Sequence, residues 1–145
     1  MSLVVKVCSM GTPAIRRITA QQVSHAVITA AMRVHTALGP GLLESTYTAC
    51  LQHELRKAGL TADAQVGLPV VYDGTKLELG YRIDLLVENL VVVELKSVDA
   101  VAPVHQAQLL SYLKLSGKSL GLLINFNVVH LKDGIQRFVN GTDWK

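Results

Sequence analysis

The chain of 145 residues has little of what marks a specialised class of protein. Cysteine occurs twice, as Cys8 and Cys50, with no CxxC pair and no Cys/His spacing. A disulfide framework and a zinc site are therefore both unsupported, and Cys50 reads as a core thiol. Aromatic residues make up 5% of the chain and the formal net charge is +3, with a sequence pI near 9.0. Nucleic-acid contact usually leaves a basic stripe with aromatics, so this composition permits a polyanionic partner without indicating one. No apolar run approaches the roughly 18–20 residues of a membrane span, and no membrane partner is expected. The start, MSLVVKVCSM, is too short and too weakly organised for a secretory signal, which leaves the cytoplasm as the expected compartment. There is no GxSxG elbow and no glycine-rich loop between a strand and a helix, so acyl transfer and nucleotide binding by those routes lack support. His25, His35, His53, His105 and His130 include no i, i+4 pair and read as surface or packing residues.

What is present is apolar patterning. Half of the residues are hydrophobic, and the length suits one domain with a real core. Residues 1–18 read as an N-terminal extension and 19–145 as a single domain. From Thr19 the spacing of Val23, Ala26, Val27, Ala30, Val34 and Leu38 is helical, with Thr19 and Gln22 forming a capping box, and GPG at Gly39 to Gly41 ends the helix. A second helix is expected from about Leu42 to Ala58, closed by Gly59. Alternation from Gln65 to Lys96, with DG at Asp73 and Gly74, predicts three antiparallel strands. Pro103 suits the first turn of a third helix over Val104 to Leu115, Ser119 to Phe126 reads as an apolar strand, and a last hairpin is expected at Asp133 and Gly134. The order α, α, β, β, β, α, β predicts a mixed α/β (α+β) domain: a central mixed sheet flanked by helices, with an extra N-terminal helix. The stripe from Val23 to Leu38 must be covered by the sheet, the second helix or another subunit, and a homodimer is expected.

Two strands carry charge where burial is expected. Asp84 interrupts YRIDLLV, and in VVVELKSV, Val91 to Val98, Glu94 and Lys96 lie two apart and hence on one face. Glu88 and Asn89 turn between these strands. A strict two-residue turn pairs Asp84 with Val93, whereas a three-residue loop or a bulge pairs it with Glu94. Two carboxylates on one face want a cation between them, and all-oxygen ligands suit Mg²⁺ or Mn²⁺. The plainer alternative is an ion pair, Asp84 to Arg82 or Glu94 to Lys96.

Asp84 followed by ELK at Glu94 to Lys96 resembles the PD-(D/E)xK nuclease signature, and the αβββαβ order is similar to the restriction-endonuclease-like core of that superfamily. GLLESTY, Gly41 to Tyr47, resembles the GxxExxY motif of a small family within it, and GYRIDLLVE, HQAQLLSYL and GLLINFN resemble further blocks of that family in order, over roughly Gln21 to Val139. The resemblance implies a metal site of Glu44, Asp84 and Glu94 with the backbone carbonyl of Leu95, and Lys96 beside the nucleophile. It also implies that Gln108 and Tyr112, four apart on one helix face, orient the site or the nucleic acid. Each has an ordinary alternative. Glu44 suits a helix N-terminus, Lys96 a snorkelling strand end, and Tyr112 and Tyr47 the packing of an aromatic ring with a wet hydroxyl. The expected function is metal-dependent hydrolysis of phosphodiester bonds in DNA or RNA. The alternative is a module that keeps the fold and binds nucleic acid or protein without cutting.

Overall fold

The computed structural model describes residues 5–7 and 14–145, with side chains from Arg17 onward. Most of the expected extension, Cys8 included, lies outside the described residues. Within the extension, β1 (Val5–Val7) and β2 (Ala14–Arg16) pair antiparallel. There follow α1 (Ala20–Leu38), α2 (Glu44–Lys57), β3 (Ala62–Gly67), β4 (Val70–Tyr72), β5 (Thr75–Leu77), β6 (Arg82–Val87), β7 (Val91–Lys96), α3 (Pro103–Ser116), β8 (Leu120–Asn125) and β9 (Ile135–Val139). The central sheet runs β3-β6-β7-β8-β9. Its pairings are antiparallel except β7 with β8, where α3 makes the crossover that a parallel pair requires. Elements α2, β3, β6, β7, α3 and β8 give the αβββαβ core.

Five strands, rather than the three expected, occupy the alternating stretch up to Lys96: β3, β6 and β7 join the sheet, and β4 and β5 stand apart from it. Asp73 and Gly74 both have left-handed backbone, φ 53° and 70°, and their turn closes β4 and β5 into a separate two-stranded ribbon. Most of that ribbon is exposed, so no buried face holds it to the sheet. In place of the expected tight hairpin at Asp133 and Gly134, a 3₁₀ turn over Leu131–Gly134 leads into β9. Gly134 passes so close to β8 that a Cβ would collide with the Asn125 carbonyl oxygen.

Helices α1 and α2 cover one sheet face. Val23, Val27, Ala31 and Val34 of α1 and Leu51 and Leu55 of α2 are buried with Leu85, Val93, Leu95, Leu122 and Ile124. The α1 stripe is thus covered inside the chain from Val23 to Val34, while Leu38 at its end stays exposed, so most of the stripe needs no second subunit. Helix α3 covers the other face, where Leu109, Tyr112 and Leu113 pack on Ile83, Leu86, Val92 and Leu123. The start of α1 is fixed by the capping box read from the sequence: Gln22 N–H donates to Thr19 Oγ1 (3.2 Å) and Thr19 N–H to Gln22 Oε1 (2.9 Å). No helix among the described residues is long and apolar enough to cross a membrane.

The entry to α2 depends on Tyr47. Its ring is fully buried and stacks on Phe126 with centroids 4.4 Å apart. Its hydroxyl donates to the Gly39 carbonyl (2.6 Å) and accepts from Leu42 N–H (3.1 Å), closing the GPG loop. Tyr47 therefore packs, and in doing so it sets where Glu44, the first residue of α2, stands. Tyr47→Phe keeps the ring but leaves both loop groups without this partner, which should cost about 1–3 kcal/mol. Urea denaturation checks it, and an unchanged midpoint would mean that the hydroxyl does not fix the loop.

Candidate active site

The turn between β6 and β7 decides which residues meet. Glu88 and Asn89 are both left-handed, φ 52° and 54°, and Leu90 N–H donates to the Val87 carbonyl (3.0 Å), the geometry of a two-residue type I′ turn. Such a turn alone would pair Val87 with Leu90. The ladder instead reads Val87↔Val91, Leu86↔Val92, Leu85↔Val93, so Leu90 is one extra residue, and its side chain packs against the core under α1 and α2. Continued by one step, this register sets Asp84 opposite Glu94.

There the backbone ladder stops and side chains replace it. Leu95 N–H donates to Asp84 Oδ2 (2.9 Å), and Asp84 N–H donates to Glu94 Oε1 (3.2 Å). Each carboxyl group is held by the other strand's backbone. Glu94 is only 5% exposed. Burial first, then the charge of Asp84 and the hydrogen bond between the two side chains, push the Glu94 carboxyl up to about 9, against the opposing pull of the Asp84 N–H and then of Lys96. The ordinary ion pairs do not form. Among the described residues the one pair within 4.0 Å is Lys76–Glu78, while Arg82 donates to the Gln65 carbonyl. Lys96, half-buried, shares the face of Glu94 and leaves its ammonium without a carboxylate partner at that distance.

Glu44 and Asp84 line one cleft of about 480 Å³ with Leu42, Thr48, Gln65 and Ser97. The expected ring of three carboxylates is nevertheless incomplete, because no group of three or more His, Cys, Asp or Glu side chains among the described residues is arranged to hold a metal ion. The reason is local: Glu44 Oε1 accepts from Ser97 N–H (3.4 Å), and Ser97 Oγ donates to the Leu42 carbonyl (2.6 Å), which ties the helix start to the end of β7. The Leu95 carbonyl is better placed. Lys96 gives its own carbonyl to Phe126 N–H on the β8 side, so alternation along β7 sends the Leu95 N–H and carbonyl toward β6 and Asp84. The carboxyl oxygens of Asp84 and Glu94, each held by the other's strand, are donors of the type that suits a hard divalent cation. Half-buried Asp84 and buried Glu94 have no cationic side chain within 4.0 Å among the described residues, a counter-charge that such an ion would supply.

Gln108 and Tyr112 meet, Nε2 donating to the phenol oxygen at 3.2 Å, but they line a neighbouring groove with Tyr81 and His105 rather than the cleft of Asp84. Tyr112 is at once core and rim. It is 6% exposed, and burial and the nearby Glu94 charge raise its phenol above the ordinary range. Two residues near the site carried no sequence signal of their role. Buried Asn125, opposite Lys96 in the β7–β8 ladder, holds the exit of β7 by accepting from Val98 N–H (3.1 Å) and donating to the Val98 carbonyl (2.9 Å). Gln65 is left-handed in the middle of β3, φ 55°. At Gln65 and Asp84 both strands turn over: Ala62 and Leu85 face α1 and α2, whereas Val66 and Ile83 pack on the α3 side.

A family model described as the PD-(D/E)XK nuclease superfamily matches residues 21–138, a span that contains every residue of the candidate site. No curated protein and no solved structure matches the chain significantly.

The raised Glu94 carboxyl has a consequence for stability. With a folded value of about 9 against 4.5 ordinarily, it keeps a proton that the unfolded chain has released. Its contribution is complete below about 4.5 and is lost as pH rises through about 9. In a chelating buffer the wild type should therefore lose, relative to Glu94→Gln, on the order of 1 kcal/mol per pH unit across that window. Urea melts of both proteins at acid and alkaline ends check this. Parallel pH profiles would show that Glu94 ionises normally.

Proposed function

Because this chain belongs to the PD-(D/E)XK nuclease superfamily, we propose that it is a metal-dependent nuclease that hydrolyses phosphodiester bonds of nucleic acid. The observation that carries this reading is the cross-strand pair of half-buried Asp84 and buried Glu94, fixed by each other's backbone and balanced by no ion pair among the described residues. Burying Glu94 beside a second carboxyl group opposes folding, and a structural role would be served better by an apolar residue of similar volume. Asp84, Glu94 and the Leu95 carbonyl would hold Mg²⁺ or Mn²⁺. When bound, such an ion supplies Lewis acidity at the phosphate and eases deprotonation of the attacking water.

The remaining roles belong to side chains. The Lys96 ammonium, on the face of Glu94, stabilises negative charge that builds on the phosphate oxygens and favours loss of the water proton. Glu44 faces the same cleft from the start of α2 and orients what enters it. Gln108, its amide steered by the Tyr112 hydroxyl, contacts the nucleic acid from the α3 side. A second reading, a module that binds nucleic acid or protein without cutting, draws on the absence of a three-membered acidic cluster among the described residues.

Lys96→Ala separates the two. Ammonium is not a metal ligand, so metal affinity should change much less than cleavage, which slows on the order of 10² to 10³-fold, as for loss of a single transition-state donor. Glu94→Gln should lower metal affinity and cleavage together. Labelled single- and double-stranded DNA and RNA are assayed with Mg²⁺ or Mn²⁺, with calorimetry for the ion. A wild type that binds one of these substrates and cuts none, with Lys96→Ala binding equally well, would put the binding module in place of the nuclease.

A further inference from the structure

Among the described residues, the left-handed non-glycine positions are Gln65, Asp73, Glu88 and Asn89. Asp73, Glu88 and Asn89 are central residues of tight turns, where that conformation is what the turn needs. Gln65 lies inside a strand. The β3–β6 ladder keeps one register on either side of it, Ala64↔Leu85 and Val66↔Ile83, so no inserted residue accounts for the break. Its carbonyl is taken by Arg82 Nη1 (3.3 Å), and the N–H of Asp84, the residue that faces it, donates to Glu94 Oε1 instead of to β3.

A glycine would adopt this backbone without the strain of a Cβ. The glutamine side chain brings no compensating contact to the fold: it is exposed and makes no hydrogen bond with a described residue. It does line the cleft with Glu44 and Asp84. That cleft has no aromatic wall on which a base could stack. The hydroxyls of Thr48 and Ser97 already donate to the Glu44 and Leu42 carbonyls. The Gln65 amide, beside two acids, and the Ser45 hydroxyl are the uncharged donors that remain for an incoming anion, and the amide alone sits on strained backbone.

We propose that Gln65 is a substrate-contacting residue whose side-chain amide donates to a phosphate oxygen of a nucleic-acid strand in the cleft, beside Glu44 and Asp84. The contact is to the sugar-phosphate backbone, so it is independent of base sequence. This rests on the nuclease reading of the same site.

The test uses the full chain, Gln65→Gly and Gln65→Glu, with labelled DNA and RNA oligonucleotides of unrelated sequences at one fixed salt concentration. Binding is measured in Ca²⁺, cleavage in Mg²⁺ or Mn²⁺, and thermal midpoints are recorded for each protein. Gln65→Gly should melt at or above the wild type, yet bind and cut about 10- to 100-fold less well, the range for a hydrogen bond to a charged group, and equally for every sequence. Gln65→Glu, which presents a carboxylate to the phosphate, should be at least as impaired. Wild-type binding and cleavage in either variant would overturn the proposal. So would a lower midpoint in Gln65→Gly, which would make the side chain structural, or a loss confined to one base sequence. If the wild type binds but does not cut, the nuclease reading fails and Gln65 is judged by binding alone. If it neither binds nor cuts, both are overturned.

Discussion

One residue's displacement in the β6–β7 ladder governs the rest of the site. Side chains on a strand alternate with a period of two, so a slip by one residue would set Asp84 against Val93, whose side chain is buried in the core under α1 and α2. Leu90, the extra residue after the turn, prevents this, and the turn that carries it is secured from outside. Glu88 Oε2 accepts from Thr61 N–H (2.7 Å) and Thr61 Oγ1 (2.5 Å), and Glu88 N–H donates to the Thr61 carbonyl (2.9 Å). The approach to β3 therefore clamps the turn, and the turn fixes which acid faces which. The register is held by contacts well away from the carboxyl groups it brings together.

The site is set at the mouth of a rigid block. Every residue of β8 is buried, and all of β7 is buried up to Leu95. Such strands have no freedom to move polar groups about, so irregularity is confined to the places where ladders end: Gln65, Asp84 and the exit of β7 held by Asn125. Backbone strain and an uncompensated carboxyl pair coincide there, the combination expected where a structure gives up stability for a function. The helices contribute by position. Tyr47 closes the loop ahead of α2, and Ser97 ties the start of that helix to the end of β7.

How much of this was legible in the sequence differs from residue to residue. The ends of α1 were, because Thr19, Gln22 and Gly39 satisfy backbone groups locally and local chemistry is written locally. The pairing of Asp84 with Glu94 was legible only as one of two registers, since a turn of Glu88 and Asn89 does not announce a bulge at Leu90. The turn at Asp73 and Gly74 was legible, but the count of three strands missed that β4 and β5 form a ribbon of their own, because whether a hairpin joins a sheet depends on a buried face that alternation alone does not assign. Gln65 gave no signal, because glutamine has no preference for left-handed backbone and only the surrounding ladder makes it adopt one. Glu44 shares a cleft with Asp84, whereas its ring with the other acids was not found among the described residues, and its partner, Ser97, comes from a loop more than fifty positions away.

The electrostatics link occupancy to protonation. Glu94 retains a proton because it is buried beside Asp84 with no counter-ion at contact distance. A divalent cation at this pair would have to replace that proton, since a ligand carboxylate must be ionised. On the proposed reading, metal affinity and the charge state of the site are one equilibrium, tightening as pH rises. The nearby Lys96 acts in the same direction by favouring ionised Glu94, yet it stands too far off to neutralise the pair as a salt bridge would. A lysine held at that intermediate distance lowers the barrier to ionisation without occupying the position of the cation. This explains, in physical terms, why an acid and a base two residues apart on one strand face are useful here without being partners.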